Sequence, residues 1–344
     1  MSTESREQAS REANWTRYQP GQSAGHYESF FLRANHPTRP LAFWIRYTIF
    51  SPQARPGDAI GELWAVYFDG ETNQHVAAKR EVPFAQCAFS RSEFSVDIAA
   101  AHLEPGRLQG SAGPAEPVAG THTIDWDLSF DGAGTPLFFL PLPLYRTRLP
   151  SAKSLVSAPL AVYRGQLAVD GKTIDVSNWV GSQNHNWGRK HTDFYAWGQV
   201  AGFDRHPDSF LEVATARLKL GPLWTPFMTL VVLRHRGQEF ALNSLRQSLR
   251  ARGSVQYFTW QFHSETERVC VDGTISAPRH AFVGLRYYNP PGGTKHCLNS
   301  KLAACEIRFT DKSRSAPTEI LSTTHRAAFE ILTDERDHGV DIRV

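Results

Sequence analysis

The sequence has little cysteine, and none of it is arranged as metal ligands usually are. Four cysteines occur among 344 residues, at positions 87, 270, 297 and 305, and no two form a C-x-x-C pair. So few thiols in so long a chain exclude a disulfide scaffold. The histidines lack zinc-site spacing, and no G-x-G-x-x-G or G-x-x-x-x-G-K-[ST] loop is present. We therefore expect no metal and no nucleotide or other cofactor.

The sequence also has no large excess of either charge and no long apolar run. The formal net charge is only +3, and the arginines are scattered, which argues against a nucleic-acid partner. No stretch approaches the ~18–20 apolar residues of a membrane-spanning helix, so we expect no integral membrane segment, while a transient membrane contact stays open. The polar residues 1–14 lack the apolar core of a signal peptide, so we expect a cytoplasmic protein.

What is abundant is the pattern of β-strands. Residues 123–130 alternate apolar and polar side chains, as half-buried strands do because successive side chains leave opposite faces. Asp-Gly pairs at 69–70, 131–132, 170–171 and 272–273 suit the tight turns of hairpins. Amphipathic helical patterns are nearly absent. These features predict an all-β protein built from antiparallel barrels or sandwiches.

One segment, residues 178–199, is unusually rich in side chains that could form a site. It combines four consecutive amide and imidazole groups with large aromatic rings: Gln183, Asn184, His185 and Asn186, then Trp179, Trp187, Tyr195 and Trp197. Polar groups among large rings are typical of a cavity with a few anchors for a ligand. They also suit a polar plug that closes one end of a barrel. The residues alone leave both interpretations open.

The same segment carries a resemblance to a known superfamily. Residues 181–188 read Gly-Ser-Gln-Asn-His-Asn-Trp-Gly and residues 197–199 read Trp-Gly-Gln. This resembles the His-Asn-Trp-Gly…Trp-x-Gln signature of the lipocalin-like group that contains AttH-like proteins, carotenoid 1,2-hydratases (hydroxyneurosporene synthases), tocopherol cyclases and fungal Diels–Alderases. The phrase His-Tyr-Glu-Ser-Phe-Phe at 26–31 is similar to that group's Glu-Trp-Trp-Tyr opening. The resemblance covers roughly residues 25–331.

The resemblance implies two tandem lipocalin-like antiparallel β-barrels with few short helices. We expect a flexible N-terminal tail over residues 1–20 and a first barrel domain over residues 21–172. A second barrel domain is expected over residues 173–344, carrying the His-Asn-Trp-Gly motif.

The resemblance also implies a cofactor-independent enzyme of the hydratase (lyase) or cyclase (isomerase) type, acting on a hydrophobic, unsaturated, isoprenoid-like substrate. Acid-catalysed hydration or cyclisation needs a buried carboxyl that stays protonated, and aromatic faces that stabilise a cation. We predict Glu28 as the acid, with His185 orienting substrate or water and Glu212 as the reserve acid. The predicted substrate-binding residues are Gln183, Asn184, Asn186, Trp187, Tyr195, Trp197 and Gln199.

Two alternatives remain at this stage. The barrels could hold a lipid, isoprenoid or polyketide without converting it, since a lipocalin-like cup needs only apolar walls and a few anchors. A pericyclase would need no acid, only a shaped cavity and hydrogen-bond donors such as Gln183, Asn184 or Asn186. In each case we expect Trp187, Trp197 and His185 to line one cavity.

Overall fold

The computed structural model describes residues 3–116, 118–132, 134–314 and 317–344. In these ranges almost all regular structure is β, and the α-helices are α1 (Thr3–Arg11) and α2 (Leu245–Arg250). The all-β prediction, with few short helices, is confirmed. None of the described helices is long and apolar enough to span a membrane.

The first large sheet is antiparallel and forms a nearly closed barrel. Its order is β4-β3-β2-β1-β12-β11-β9-β8-β7-β6-β5, with β10 paired to β11. Its strands are β1 (His26–Asn35), β2 (Leu41–Ser51), β3 (Ile60–Asp69), β4 (Val76–Pro83), β5 (Cys87–Phe89), β6 (Val96–Ile98), β7 (Ala101–Glu104), β8 (Arg107–Ala112), β9 (Ile124–Asp131), β10 (Leu137–Phe138), β11 (Ala152–Val169) and β12 (Lys172–Gly188).

The second large sheet is formed by the rest of the chain, in the order β18-β17-β14-β13-β24-β23-β21-β20-β19, with β22 paired to β23. Strands β15 and β16 form a small sheet of their own. The bounds are β13 (Phe194–Phe203), β14 (His206–Arg217), β15 (Lys219–Leu220), β16 (Leu223–Trp224), β17 (Met228–His235), β18 (Gln238–Leu242), β19 (Arg252–Gln256), β20 (Thr259–Glu265), β21 (Val269–Ser276), β22 (Val283–Tyr288), β23 (Thr294–Asp311) and β24 (Glu319–Thr333).

Alternation along the strands produces three apolar layers. One layer fills the first sheet and includes Phe43 and Trp126. Another fills the second sheet and includes Trp260. The third lies between the sheets and takes its rings from both, for example Trp44 from β2 and Trp197 from β13. The outer faces of β1, β2 and β3 are therefore buried against the second sheet, which explains why these strands are apolar on both faces.

The long hairpin of β11 and β12 determines where the motif lies. Its turn, Asp170-Gly171, has positive φ at both residues, 50° and 79°, as a type I′ turn requires. After this turn β12 pairs with β1 as well as with β11. The strand that carries the His-Asn-Trp-Gly motif therefore belongs to the first sheet, not to the second as expected. The division at residues 172 and 173 into separately folding domains remains a prediction.

The N-terminal stretch differs from the flexible tail expected over residues 1–20. Residues 1 and 2 lie outside the described residues, but the following residues form α1 and then a segment that packs on the first sheet. Ala13, Thr16 and Tyr18 are all buried. Tyr18 packs against Phe84 with its ring centroid 5.2 Å away. Burial of these side chains holds the segment against the barrel.

Candidate functional site

The motif strand β12 presents its side chains to two different regions. Gln183 and His185 face the N-terminal segment, to which both are hydrogen-bonded. Asn184, between them in the sequence, faces the second sheet and accepts a hydrogen bond from Gln199 at 2.8 Å. Because neighbouring residues of a strand point to opposite faces, the contiguous polar run is split between two clusters.

The first cluster is built around Glu28, a fully buried carboxyl on β1. One oxygen accepts hydrogen bonds from the Arg17 backbone N–H (2.7 Å) and His185 Nε2 (2.8 Å). The other accepts from the Tyr18 backbone N–H (2.8 Å) and His26 Nε2 (2.9 Å). Burial by itself raises a carboxyl pKa, but the hydrogen bonds from His185 and His26 outweigh it and lower the pKa of Glu28 to about 2. A carboxylate held in this way is a poor proton donor.

His185 is also held in place, by contacts at both of its ring nitrogens. Its Nδ1 donates to the Ala13 carbonyl oxygen at 2.7 Å, because a carbonyl can only accept. Its Nε2 contacts Glu28, and its ring stacks on Phe30 with centroids 4.2 Å apart. Donation from both nitrogens is the geometry of the protonated ring. Burial opposes the charge and lowers the pKa of His185, whereas the hydrogen bond and charge of Glu28 favour the protonated form. With both nitrogens occupied, the ring has no atom free to orient a substrate.

Gln183 completes the attachment of the N-terminal segment. Its amide exchanges hydrogen bonds with the amide of Asn14, at 3.0 and 3.1 Å. Ser157 of β11 donates to the same Asn14 oxygen at 2.5 Å. This face of the motif therefore ties residues 13–18 to the mouth of the first barrel. It is the arrangement of a polar plug.

The second cluster, the intersheet network, is centred on the buried amide of Gln199. Gln199 Oε1 accepts from Arg33 Nε (2.7 Å) and Ser182 Oγ (2.6 Å). Its Nε2 donates to Asn184 Oδ1 and to Glu212 Oε2, each at 2.8 Å. All hydrogen-bonding positions of the amide are used, and the amide bridges the two large sheets. Such a network determines how the sheets pack.

Glu212 is the other buried carboxyl that the sequence indicates, and its surroundings differ from those of Glu28. Its oxygens accept from Trp197 Nε1 (2.7 Å) and Gln199 Nε2 (2.8 Å). Burial raises its pKa to about 7, although these two hydrogen bonds and the charge of Arg33 act in the opposite direction. A carboxyl with this pKa is divided between its acid and its anion at neutral pH.

The remaining predicted residues lie in the same intersheet layer. Asn186 accepts a hydrogen bond from Ser29 Oγ. Trp197 packs edge-on to Phe31 with centroids 5.9 Å apart. Tyr195 is half-buried among the same apolar side chains, and burial raises its pKa well above the ordinary value. These groups stabilise the contact between the sheets.

A pocket of about 340 Å³ opens beside Trp187, and we call it the Trp187 pocket. It lies between α1, the 3-10 helix Leu142–Arg146 and the ends of β11 and β12. Apolar and aromatic side chains form much of its wall: Phe138, Leu142, Tyr145, Leu155 and Trp187. Charged side chains also line it: Glu12, Arg17 and Arg146. The combination of apolar walls and a few charged groups is typical of small-molecule sites.

Arg17 is the charged residue placed closest to the aromatic wall. Its guanidinium carbon lies 5.2 Å from the centre of the Trp187 ring, within cation–π range. One terminal nitrogen donates to the Glu12 carbonyl oxygen at 2.6 Å. Its Nε is buried and has no hydrogen-bond partner among the described residues. The guanidinium brings positive charge to the pocket wall, where it favours an anionic or carbonyl group of a ligand.

Only part of this site was indicated by the sequence. Of the predicted site residues, Trp187 is among the described residues that line the pocket. His185 packs against Trp187, with the two ring centroids 4.6 Å apart. Trp197 lies in the intersheet layer. The structure thus separates the three residues expected in one cavity. Arg17 and Tyr145 were missed because no local pattern marks either residue.

One group of metal-ligand side chains occurs in the described part of the chain, on the second sheet and away from this pocket. Donor atoms of His263, Glu265 and Cys270 lie within 4.8 Å of one another. Asp272 accepts from His263 at 2.7 Å, and Lys312 is hydrogen-bonded to Glu265. These contacts account for the grouping without an ion.

Comparison with known sequences gives relatives but no activity. The chain is 26% identical over 309 residues to two uncharacterised proteins of Mycobacterium tuberculosis, MT0513 of strain CDC 1551 and Rv0493c of strain H37Rv. Each match covers 88% of this chain and 86% of the relative. No protein-family model matches the chain.

Comparison with solved structures identifies the fold. An AttH candidate from Nitrosomonas europaea superimposes with a TM-score of 0.53 at 10% identity, covering 90% of this chain and 92% of the other. CghA crystallised with Sch210972 superimposes with a TM-score of 0.57 at 11% identity, covering 95% and 98%. A further CghA structure gives 0.54 at 10% identity, covering 95% and 97%. The chain has the AttH-like, lipocalin-like fold.

Proposed function

We propose that this protein is a cofactor-independent enzyme that binds a hydrophobic, unsaturated, isoprenoid-like small molecule in the Trp187 pocket and hydrates or cyclises it. The observation that carries the proposal is the pocket itself, with aromatic walls and a guanidinium 5.2 Å from the Trp187 ring. The structure of CghA with Sch210972 supports small-molecule binding in this fold. Fold similarity alone does not define a reaction, so the chemistry is argued from the residues.

The pocket favours a slender ligand with one polar end. Its volume of about 340 Å³ lies near the lower limit of ligand sites. Trp187, Tyr145 and Phe138 give the pocket an aromatic lining suited to unsaturated carbons, whereas Arg17 offers a positive charge to a carboxylate or carbonyl oxygen. The rings of Tyr145 and Phe138 would also stabilise a carbocation that develops beside them. The charge of Arg17, by contrast, disfavours a carbocation beside Trp187.

For acid-catalysed hydration or cyclisation, Glu212 is a better candidate than Glu28 as the proton donor. Glu28, with a pKa of about 2, holds no proton at neutral pH, whereas Glu212, with a pKa of about 7, does so in part. The charge of Glu212 adds to the effect of burial in raising the pKa of Tyr145, a residue of the pocket wall. In this proposal Glu28 and His185 position the N-terminal wall of the pocket.

A pericyclic reaction is the second candidate, and one observation favours it. Glu12 is the carboxyl among the described lining residues of the pocket, and both Glu28 and Glu212 lie outside that lining. Arg17, by contrast, lines it and could polarise a carbonyl group of a bound polyene without transferring a proton. Simple binding without turnover remains the third candidate.

The binding step is tested with 8-anilinonaphthalene-1-sulfonate, an aromatic anion whose fluorescence rises in apolar sites. We expect saturable binding by the wild type that Arg17→Gln weakens about tenfold, since a charge-assisted contact is worth about 1.5–3 kcal/mol. Trp187→Leu should weaken it as well. Arg107→Gln, which alters an exposed arginine paired with Asp127, is the matched control. Equal binding by Arg17→Gln, Trp187→Leu and the control would show that the ligand site lies elsewhere.

The reaction is tested by mass spectrometry of organic extracts from purified wild type and Glu212→Gln. If Glu212 is the acid, the variant should retain a compound that the wild type converts, either isomeric with the wild-type compound or lighter by one water. Identical extracts that contain a polyene product would favour the pericyclic route. Identical extracts that contain an unchanged host lipid would favour binding alone.

A further inference from the structure

A small hairpin that belongs to neither large sheet carries exposed apolar side chains. Strands β15 and β16 pair only with each other, and Gly221 and Pro222 lie in the turn between them. Leu220, Leu223 and Trp224 are 65%, 72% and 41% exposed. Three large apolar side chains grouped at one exposed tip are unusual on a protein surface, where single apolar residues are the rule.

Basic side chains surround this tip. The guanidinium carbon of Arg217 lies 4.3 Å from the centre of the Trp224 ring and 4.9 Å from that of Phe227. Lys219 Nζ lies 5.8 Å from the Trp224 ring. The nearby acid, Asp193, is paired with Lys190 at 3.1 Å and accepts a hydrogen bond from the Lys219 backbone at 2.9 Å. Among the described residues Arg217 and Lys219 form no salt bridge, so the hairpin base keeps positive charge next to the apolar tip.

The base of the hairpin contacts the connection that follows β12, the strand that carries Trp187. Residues 189–193 lead directly from Gly188, which follows Trp187, to the start of β13. Asp193, at the end of that connection, holds the hairpin through Lys219. Phe194, the next residue, is paired with Arg217 at the hairpin base. A membrane or protein that bound the hairpin would therefore lie next to residues 189–193, which follow the strand that carries Trp187.

We propose that the hairpin, residues 217–225, is a membrane-docking element that inserts Leu220, Leu223 and Trp224 into the headgroup region of an anionic phospholipid bilayer. Apolar insertion combined with basic side chains that contact anionic headgroups is how peripheral proteins bind membranes. Tryptophan prefers this interfacial depth. The inference deepens the proposed function and rests on it for its purpose, because a hydrophobic, isoprenoid-like substrate resides in membranes and would be taken up there.

The test is co-sedimentation of the full chain with vesicles of phosphatidylcholine mixed with phosphatidylglycerol. We expect the wild type to bind these vesicles, to bind phosphatidylcholine alone more weakly, and to be released in part by added salt. The double variant Leu223→Ser, Trp224→Ser should bind at least about tenfold more weakly, because it removes the largest inserted side chains. Leu245→Ser, Leu249→Ser removes two leucines of α2 that are 65% and 48% exposed and serves as the matched control, with wild-type binding expected.

Two results would overturn the docking proposal. One is vesicle binding that the hairpin variant and the control variant retain equally. The other is a wild type that does not bind vesicles but self-associates in sedimentation velocity, with association lost in the hairpin variant, since a second copy of the chain would then cover the tip. Dye binding in the Trp187 pocket is measured without vesicles, so failure of either proposal is recognised separately.

Discussion

Glu28 and Glu212 show how two buried carboxyls in one chain acquire different chemistry. Each is almost fully shielded from water. Glu28 accepts four hydrogen bonds, two of them from histidines, and its pKa falls to about 2. Glu212 accepts two hydrogen bonds, from neutral groups, and burial raises its pKa to about 7. Burial is common to both, so the number and charge of the donors determine the direction.

The residue-scale prediction follows from the four donors around Glu28. In Glu28→Gln one carboxylate oxygen becomes an NH₂ group, which faces N–H donors that it cannot satisfy. We expect the free energy of unfolding to fall by about 2–4 kcal/mol, and residues 13–18 to become susceptible to proteases. Urea unfolding and limited proteolysis measure these effects.

The control for this prediction is Glu93→Gln, which changes an exposed glutamate and should leave stability within about 0.5 kcal/mol of the wild type. A Glu28→Gln protein that is as stable as the wild type but catalytically inactive would contradict the tether role. Such a result would support Glu28 as the proton donor.

At the scale of elements, β12 is the central strand of the site because it pairs with β1 on one side and with β11 on the other. Strand β1 approaches β12 closely at Gly181. A Cβ atom built there would lie 1.7 Å from the Arg33 carbonyl oxygen and 2.6 Å from Ala34 Cα. These are backbone atoms, so the clash cannot be relieved by a side-chain rotation.

Gly181→Ala should therefore separate β1 from β12 and disturb both clusters. We expect a loss of at least about 3 kcal/mol of unfolding free energy, as overpacking against rigid neighbours produces. Gly57→Ala is the matched control, since nothing lies within 4 Å of a Cβ built at Gly57. Thermal and urea unfolding of both variants check the prediction, and equal stability would show that the strands are farther apart than the structure places them.

At the scale of the whole molecule, several histidines are buried away from carboxylates that could stabilise their charge. Burial, with the nearby charges of Arg46 and Lys295, lowers the pKa of His191 to about 3. Burial also lowers the pKa of His75 to about 4, with help from Arg343. At these two histidines the folded protein therefore binds fewer protons than the unfolded chain below pH 6.5.

The sign of the pH dependence follows from these lowered pKa values. Stability from a neutral buried histidine is fully present above pH 6.5 and is lost as the pH falls towards the folded-state pKa. For His191 the loss is about 2 kcal/mol at pH 5. We expect the unfolding free energy of His191→Gln to fall less steeply between pH 6.5 and 5 than that of the wild type. His122→Gln, at an exposed position, should retain the wild-type slope, and parallel curves for all three proteins would contradict the assignment.

The high strand content and the location of the His-Asn-Trp-Gly motif could be predicted from local patterns in the sequence. The Asp-Gly turn at 170–171 is as expected, and Trp197 and Gln199 share one face of β13, because turn chemistry and two-residue periodicity act over a few residues. The Trp187 pocket could not be predicted. Its walls come from α1, residues 138–146 and β12, and no local rule links segments so far apart in the chain.

The sequence by itself determined that the chain is all-β and that residues 183–187 are chemically exceptional, because alternation and composition are local properties. Only the tertiary structure decided what those residues do. Pairing of β12 with β1 aims Gln183 and His185 at the N-terminal segment and Asn184 at the second sheet. The pKa of Glu212, and the contribution of His185 to that of Glu28, were likewise decided by donors far away in the sequence or on neighbouring strands. Electrostatic effects depend on distance in space, which sequence separation does not reveal.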